Sequence, residues 1–380
     1  MIATQISWQA AKGWSRNIAD FPPAADLVLC FGSAEALTAS HGPAAELRRR
    51  YASAVVAACS TAGEICGGSV SDDGLAALIV VFSRARVRSV LTTVGGGADS
   101  ERAGAEIGRG LLNPELRHVF VLSDGLAING SALTAGLQAA LPANVQATGG
   151  LAGDGSRFRR TIVGLGEKLG PNQVVGIGFY GPSFRAEHGS AGGWRPFGPK
   201  RRVTGAEANV LYSLDDKPAL ALYKRYLGER AGELPGAGLL FPLQLLSDSS
   251  EENGLVRTIL AVDEERQSLT FAGDLPVGRT VRLMKAGHDA LVEGARAAAE
   301  GRTSGGIKGS RAAILVSCVG RKLVLGRRVE EEIEAVLKQL GGGVSAAGFY
   351  SYGEICPGGF TRGCELHNQT MTLTVIGEDE

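Results

Sequence analysis

Two short phrases in this chain place a carboxylate among glycines in a way that could do chemistry: Ser60-Thr61-Ala62-Gly63-Glu64-Ile65-Cys66 and Ser351-Tyr352-Gly353-Glu354-Ile355-Cys356. In each, an apolar run ends in a glycine and an acid, and more glycines follow (Gly67 and Gly68; Gly358 and Gly359). Glycine permits positive φ and close backbone approach, so the acid after it belongs at a strand end rather than inside a sheet. Carboxylates placed there can receive the ammonium of a small polar ligand. Arg321 follows an apolar run and Gly320, which puts it at a strand's C-terminal end, the edge where open α/β sheets bind ligands. Its guanidinium can clamp a carboxylate bidentately. Arg321 with Glu354 or Glu64 would suit a free amino acid; the same groups would serve equally well as an ion pair tying duplicated halves together.

His367-Asn368 lies beside Glu365, just before the closing apolar run. A histidine in such a place is a hydrogen-bonded structural residue, a ligand contact, or an axial ligand of haem iron. No CxxCH stretch occurs, so any haem would be held non-covalently. Cys318, Cys356 and Cys364 offer thiolates to iron, and Cys318 or Cys356 offers a nucleophile that His367 would activate in a cysteine-dependent hydrolase. No GxSxG elbow offers a serine alternative. Gly176-Ile177-Gly178-Phe179-Tyr180-Gly181 has the GxGxxG spacing, but Pro182 and the polar stretch beyond do not open a helix to receive a pyrophosphate. The candidate ligand-binding set is therefore Arg321, Glu354, His367, Asn368, Cys318 and Tyr352, joined by Glu64 and Asp154 from the N-terminal half.

The elements that must position these residues repeat one plan. Strands are predicted at 27–31, 55–61 and 75–82, with a helix opened by Pro43. The C-terminal copy has strands at 312–319, 344–350 and 370–376. Its helix carries Val329, Ile333, Val336, Leu337 and Leu340 on one face, with acids in the first turn and Gly341 beyond. A third copy has strands at 118–122, 161–165 and 174–180 and a helix capped by Ser131. A fourth has strands near 240–246, 256–262 and 280–284 and a helix over 289–299. The small-Gly-acid signal recurs in each as Gly63-Glu64, Gly153-Asp154, Gly273-Asp274 and Gly353-Glu354. Any single Gly-acid pair is ordinary turn chemistry; four at matching places argue for internal duplication. The expected fold is a mixed α/β one, in two related domains of duplicated β-α-β-β units whose sheets are covered by helices. The Gly-, Pro- and Trp-rich stretch after Gly189 marks a seam, with domains at 25–212 and 213–376.

Composition removes several classes. The 380 residues contain 39 basic and 39 acidic side chains, which argues against nucleic acid as a partner. The longest apolar run, 75–82, is far too short for a bilayer core of about 30 Å, and residues 1–20 lack the apolar stretch of a signal peptide. Six cysteines without CxxC spacing suit neither a disulfide scaffold nor a zinc knuckle, so a cytoplasmic location is expected.

The C-terminal residues Cys318-Val319-Gly320-Arg321, Leu325-Gly326, Gly348 to Ile355 and Glu365-Leu366-His367-Asn368-Gln369-Thr370 together resemble the C-terminal FIST domain. Cys59 to Glu64, Ser123-Asp124-Gly125 and Gly149 to Asp154 resemble its FIST N partner. The resemblance implies a small-ligand sensor of signal transduction, with a link to amino acids in part of the family and to nitric-oxide-sensing haem proteins that regulate histidine kinases in another. For this chain the expected ligand is a small polar metabolite, the expected switch is closure of the two domains around it, and the expected recipient is a separate signalling protein such as a histidine kinase. Nothing before residue 25 resembles an F-box or a kinase module, so a stand-alone sensor is expected, and not an enzyme.

Overall fold

The computed structural model of the chain describes residues 1–246, 254–301, 307, 309–358 and 363–379. Its fold is mixed α/β and is built from repeated units, as the repeated signals predict. In the first unit, strand Leu27–Gly32 and strand Val55–Ser60 run parallel, joined by helices Ala34–Thr38 and Pro43–Arg50. A hairpin follows (Glu64–Cys66 with Ser69–Ser71), then a long strand, Leu75–Val81, that returns antiparallel to the first. The second unit repeats this with Leu116–Ser123, Gln146–Leu151, hairpin Val163–Leu165/Lys168–Gly170 and Gln173–Tyr180. The third does so with Arg311–Cys318, Val344–Ser351, hairpin Gly353–Pro357/Cys364–His367 and Met371–Glu378.

The units exchange strands in a ring. Each hairpin leaves its own unit and pairs with the second strand of a neighbour: the first with Val344–Ser351, the second with Val55–Ser60, the third with Gln146–Leu151. Each unit also carries a neighbour's edge strand: Arg86–Thr93 lies on Gln173–Tyr180, and Phe184–Ala191 on Met371–Glu378. The N-terminal strand Ile2–Gln9 closes the ring on Leu75–Val81. The repeat is thus threefold, and it includes residues ahead of position 25.

Strand alternation decides what lies inside. Leu29 and Phe31, Phe120 and Leu122, Ile314 and Val316, with Val175 and Phe349, face one core shared by all three sheets. Phe31 stacks on Phe349 across two units at 5.0 Å. The alternate residues (Val28 and Cys30; Val119 and Val121; Ala313 and Leu315) face outward under the helices.

The fourth echo is not a fourth unit. Strands Arg201–Glu207, Val210–Leu214, Leu243–Leu246, Gly254–Arg257, Ile259–Asp263, Ser268–Phe271 and Thr280–Lys285 form an antiparallel domain around helix Ala219–Leu227. Val203, Leu220, Tyr223, Leu245 and Phe271 give it a core of its own. It is inserted between edge strand Phe184–Ala191 and helix His288–Ala299 of the third unit. Apolar runs ending in Gly-Asp look alike in parallel and antiparallel sheets, hence the mistaken grouping. The predicted run 256–262 is broken at Thr258, and Tyr212 lies inside a strand paired on both sides, to Arg201–Glu207 and Ser268–Phe271. Among the described residues no helix is long and apolar enough to cross a membrane.

Helix Gly130–Ala140 is capped by Asn129, not Ser131: Oδ1 of Asn129 accepts from the amides of Ser131 and Ala132. It packs backbone to backbone on helix Ser100–Leu111, because Gly136 faces Glu101 and Gly104 faces Leu133; a Cβ on Gly136 would stand 1.9 Å from the Glu101 carbonyl oxygen. Alanine in a helix interior is otherwise favoured over glycine by about 1 kcal/mol, whereas overpacking costs roughly 1–3 kcal/mol, and backbone cannot step aside as a side chain can. Gly136→Ala is therefore expected to destabilise the chain by about 1–2 kcal/mol, read as a lower urea midpoint; a midpoint that rises would contradict this helix contact.

Candidate functional site

Three of the four Gly-acid turns meet where the strand exchange closes. The Ala62 amide donates to the Tyr350 carbonyl at 2.8 Å, the Gly153 amide to the Ser60 carbonyl at 2.9 Å, and the Tyr352 amide to the Leu151 carbonyl at 3.1 Å. Each unit thereby bonds to the next around a pseudo-threefold axis. The fourth turn stays with the inserted domain, where Asp274 accepts from the Asn129 side chain at 3.0 Å.

Over this junction opens a cleft of about 470 Å³, lined by all three units. The first contributes Ser33, Thr61, Gly63, Glu64, Asp72 and Asp73, the second Gly155 to Arg157, and the third Val319, Lys322, Leu323 and Gly326. Lys322 enters from helix Val319–Leu325 and donates to the Ala62 carbonyl at 2.7 Å and to the Asp72 carboxylate. Its ammonium stands 5.6 Å from the Tyr350 ring centre. Gly63, at φ 141°, makes room for it: a Cβ there would sit 2.5 Å from Nζ. Arg157 pairs with Asp154 at 2.6 Å and approaches Asp73 at 3.9 Å.

The sequence-derived residues divide between this cleft and a second place. Glu64 lines the cleft but is almost wholly buried. It accepts from Thr61 Oγ1 at 2.7 Å, from the Gly74 amide at 3.0 Å and from Ser71 Oγ at 3.3 Å, while burial pushes its carboxyl pKa up. Asp154 holds Arg157 and accepts the amides of Arg159 and Arg160. Tyr352 stacks on Phe158 at 4.3 Å and donates to the Gly155 carbonyl, and burial pushes its phenol up to about 12. Glu354 is fully buried; it accepts from Ser351 Oγ at 2.6 Å and from the Thr370 amide and hydroxyl at 3.1 and 2.8 Å. Burial raises its carboxyl to about 7 against those hydrogen bonds.

Arg321 differs from the expectation of a ligand clamp. It sits in the first turn of helix Val319–Leu325, not at an open edge, and both it and Glu332 are 0% exposed. Its Nε and Nη2 donate to Glu332 Oε2 at 3.0 and 2.8 Å, Nη2 also to the Leu291 carbonyl at 2.8 Å, and Nη1 to the Gly192 carbonyl. Glu332 also accepts from Tyr350 and Ser317. The partner is thus neither Glu64 nor Glu354, and no donor of Arg321 is offered to a ligand.

His367 and Asn368 lie away from the axial cleft, by the inserted domain. Nε2 of His367 donates to the Cys356 carbonyl at 3.1 Å, and burial lowers the ring pKa to about 4. Asn368 is fully buried and Cys318 nearly so, its amide donating to the Thr370 carbonyl. Of the two ring nitrogens that could bind haem iron, Nε2 is committed to a carbonyl and Nδ1 remains. The arrangement does not suit a cysteine nucleophile: burial pushes the Cys318 thiol far up, and His367 meets Cys356 at its carbonyl, while the Cys356 thiol donates to the Gly189 carbonyl at 3.8 Å. Among the described residues no group of three or more His, Cys, Asp and Glu is arranged to hold a metal ion. Sequence reasoning missed Lys322, Arg157, Asp72 and Asp73. Lys322 is the neighbour of Arg321 and Arg157 stands three residues after Asp154, but only the strand exchange brings them together.

The FIST N domain matches residues 26–217 of the chain and the FIST C domain residues 219–357. An uncharacterized protein of Mycobacterium bovis is 27% identical over 249 residues, and one of Mycobacterium tuberculosis is equally similar; the match covers 61% of this chain. The chain spans 60% of the length of these curated relatives. A solved cyanuric acid hydrolase from A. caulinodans aligns over 78% of this chain and 100% of its own, with a TM-score of 0.19 at 11% identity, too low to bear on fold or activity.

Two outcomes follow from the buried charges. Arg321→Ala strands Glu332 in the core and is expected to cost about 3–5 kcal/mol, seen in denaturant unfolding; a change below about 1 kcal/mol would mean that Glu332 reaches water. Glu354 keeps its proton in the folded chain up to about pH 7, whereas its ordinary value is 4.5. Between these values the unfolded state is the one that has lost the proton, so stability falls as pH rises through that window, by on the order of 3 kcal/mol. Glu354→Gln can donate to Ser351 and accept from Thr370, so its stability should be flatter across the same window; an unchanged slope would assign the pH dependence elsewhere.

Proposed function

The chain belongs to the FIST family, whose domains are sensory domains of signalling proteins, and we propose that its axial cleft binds a zwitterionic small molecule, a free amino acid. The observation that carries this reading is the set of opposite charges that all three units bring to one cleft. Arg157, Asp72 and Asp73 are at least half exposed in their pairs. Such exposed pairs contribute about 0–1 kcal/mol each, so a ligand can displace them at little cost. The Arg321–Glu332 pair, by contrast, is sealed off. A carboxylate entering the cleft would take Lys322 and Arg157, and an ammonium would take Asp72 and Asp73. Its volume lies within the roughly 300–1,000 Å³ of small-molecule sites.

Signalling requires that the ligand favour one conformation. A zwitterion bridging Lys322 of the third unit and Arg157 of the second would tie helix Val319–Leu325 to a turn that already meets the third unit through the Phe158–Tyr352 stack. All six cysteines are free, which supports a reducing, cytoplasmic setting.

Calorimetry with the common amino acids is expected to find at least one that binds, and to find its amide and its N-acetyl derivative each at least 10-fold weaker. Lys322→Ala should weaken the same amino acid by 10-fold or more, about 1.4 kcal/mol, with unfolding midpoints unchanged. Equal affinity for the derivatives, or no binding by any amino acid, would overturn the assignment.

A further inference from the structure

We propose that the gap between the inserted domain and the third unit is a second ligand site, for an uncharged planar amide. It has a volume of about 490 Å³. Trp194, His367 and Thr370 line one wall, and Gln244, Val256 and Met284 of the inserted domain line the other.

Charge separates this site from the axial cleft. Among the described residues no charged side chain lines it, whereas Glu64, Asp72, Asp73, Arg157 and Lys322 line the other. An ion entering here would leave water without meeting a counter-charge, which costs several kcal/mol. A neutral ligand avoids that cost.

The polar groups are built into the walls: Gln244 is 5% exposed, and His367 and Thr370 are 8% exposed. Their existing bonds fix what each has left to offer. Gln244 Oε1 accepts from Arg282 Nε at 2.9 Å, leaving the amide nitrogen as donor. His367 donates from Nε2 to the Cys356 carbonyl, so Nδ1 is the ring's acceptor, and burial keeps the ring neutral. Thr370 donates its hydroxyl to Glu354, which leaves the oxygen's lone pairs. Trp194 Nε1 donates to the Gln369 carbonyl at 2.8 Å, so the indole brings apolar surface, alongside Val256 and Met284. One donor, two acceptors and apolar walls match an amide on a flat ring, whose N–H and C=O need both kinds of partner.

Asn368 supplies a separate observation. It stands between His367 and Thr370, is 0% exposed, and neither its Oδ1 nor its Nδ2 has a partner among the described residues. A buried amide with both atoms unpaired is rare. Asn368 does not itself line the gap, so its unpaired amide marks only that this stretch of chain holds hydrogen-bonding capacity that the described residues leave unfilled.

The site is tested on the full chain by calorimetry with three matched pairs: nicotinamide and nicotinate, benzamide and benzoate, uracil and orotate. At least one neutral member is expected to bind, and its acid to bind at least 10-fold more weakly. Val256→Phe fills the gap from a partly exposed position and should abolish that binding; Lys322→Ala, in the axial cleft, should leave it within 2-fold. Binding lost only in Lys322→Ala would move the amide to the axial cleft and overturn this site, without touching the amino-acid reading. No binding by any neutral member, or equal binding by the acids, overturns it as well. If Val256→Phe does not fold, the amide-to-acid ratio and the Lys322→Ala result decide alone.

Discussion

A ring of three backbone hydrogen bonds, Ala62 to Tyr350, Gly153 to Ser60 and Tyr352 to Leu151, is the constraint on which the rest of the structure depends. Each bond joins the turn of one unit to a strand end of another. It exists because each unit sends its hairpin into a neighbour's sheet and cannot complete that hairpin's pairing alone. A single such bond contributes only about 1 kcal/mol net. Their effect is topological: with the ring closed, three sheets share one core and three turns must lie within bonding distance of each other. A small polar cleft over that junction follows from the chain path, whatever the side chains are. The side chains decide only what the cleft holds.

The recurring acid has two jobs, and the structure shows how one position serves both. In the first and third units it accepts from a hydroxyl three residues back, Thr61 or Ser351, and from the amide just before the long returning strand, that of Gly74 or Thr370. It is a clip between a turn and a strand, and it is buried accordingly. In the second unit the acid is Asp154, one methylene shorter, and it bonds instead to the amides of Arg159 and Arg160 and to the Arg157 guanidinium. The clip is replaced by a mount for an exposed cation. What looked from composition like three converging ligand contacts is thus two structural carboxylates and one positioning carboxylate.

Much of the fold was legible because local signals and the final arrangement agreed. The helix Val329–Leu340 shows its apolar face, acidic first turn and terminal glycine in the sequence and keeps them in the structure. Strand ends at the Gly-acid turns were legible too, although of the four glycines only Gly63 has the positive φ that makes glycine a local requirement. The partners of the hairpins were not legible: a strand's apolar pattern states which face is buried, not which neighbour covers its edge. That is why Gly273-Asp274 read as a fourth copy and why Ile2–Gln9 went unrecognised as the strand that closes the ring. Arg321 failed differently. Its surroundings in sequence are apolar, which is equally true of a strand tip and of a helix sealed in a core, and only Glu332, 11 residues on, distinguishes them.

Helix Val319–Leu325 gives the two clefts a common part. Arg321 donates through Nη1 to the Gly192 carbonyl, and Gly192 lines the gap beside the inserted domain. Lys322, the next residue, lines the axial cleft. Gly320, one residue earlier, packs against the Gln369 amide, whose Nε2 donates to the Leu239 carbonyl of the inserted domain at 3.1 Å. Three consecutive residues therefore touch the axial junction, the wall of the second gap and, through Gln369, the inserted domain. Arg321 is fixed by a buried ion pair to Glu332, so the helix is anchored at the residue between the two clefts. Lys322 makes its own bonds on the axial side, to the Ala62 carbonyl and the Asp72 carboxylate, and none of them reaches the second gap. Coupling between sites needs an element that both of them bias; an anchor at Arg321 works against that and keeps a change in the Lys322 side chain local to the axial cleft.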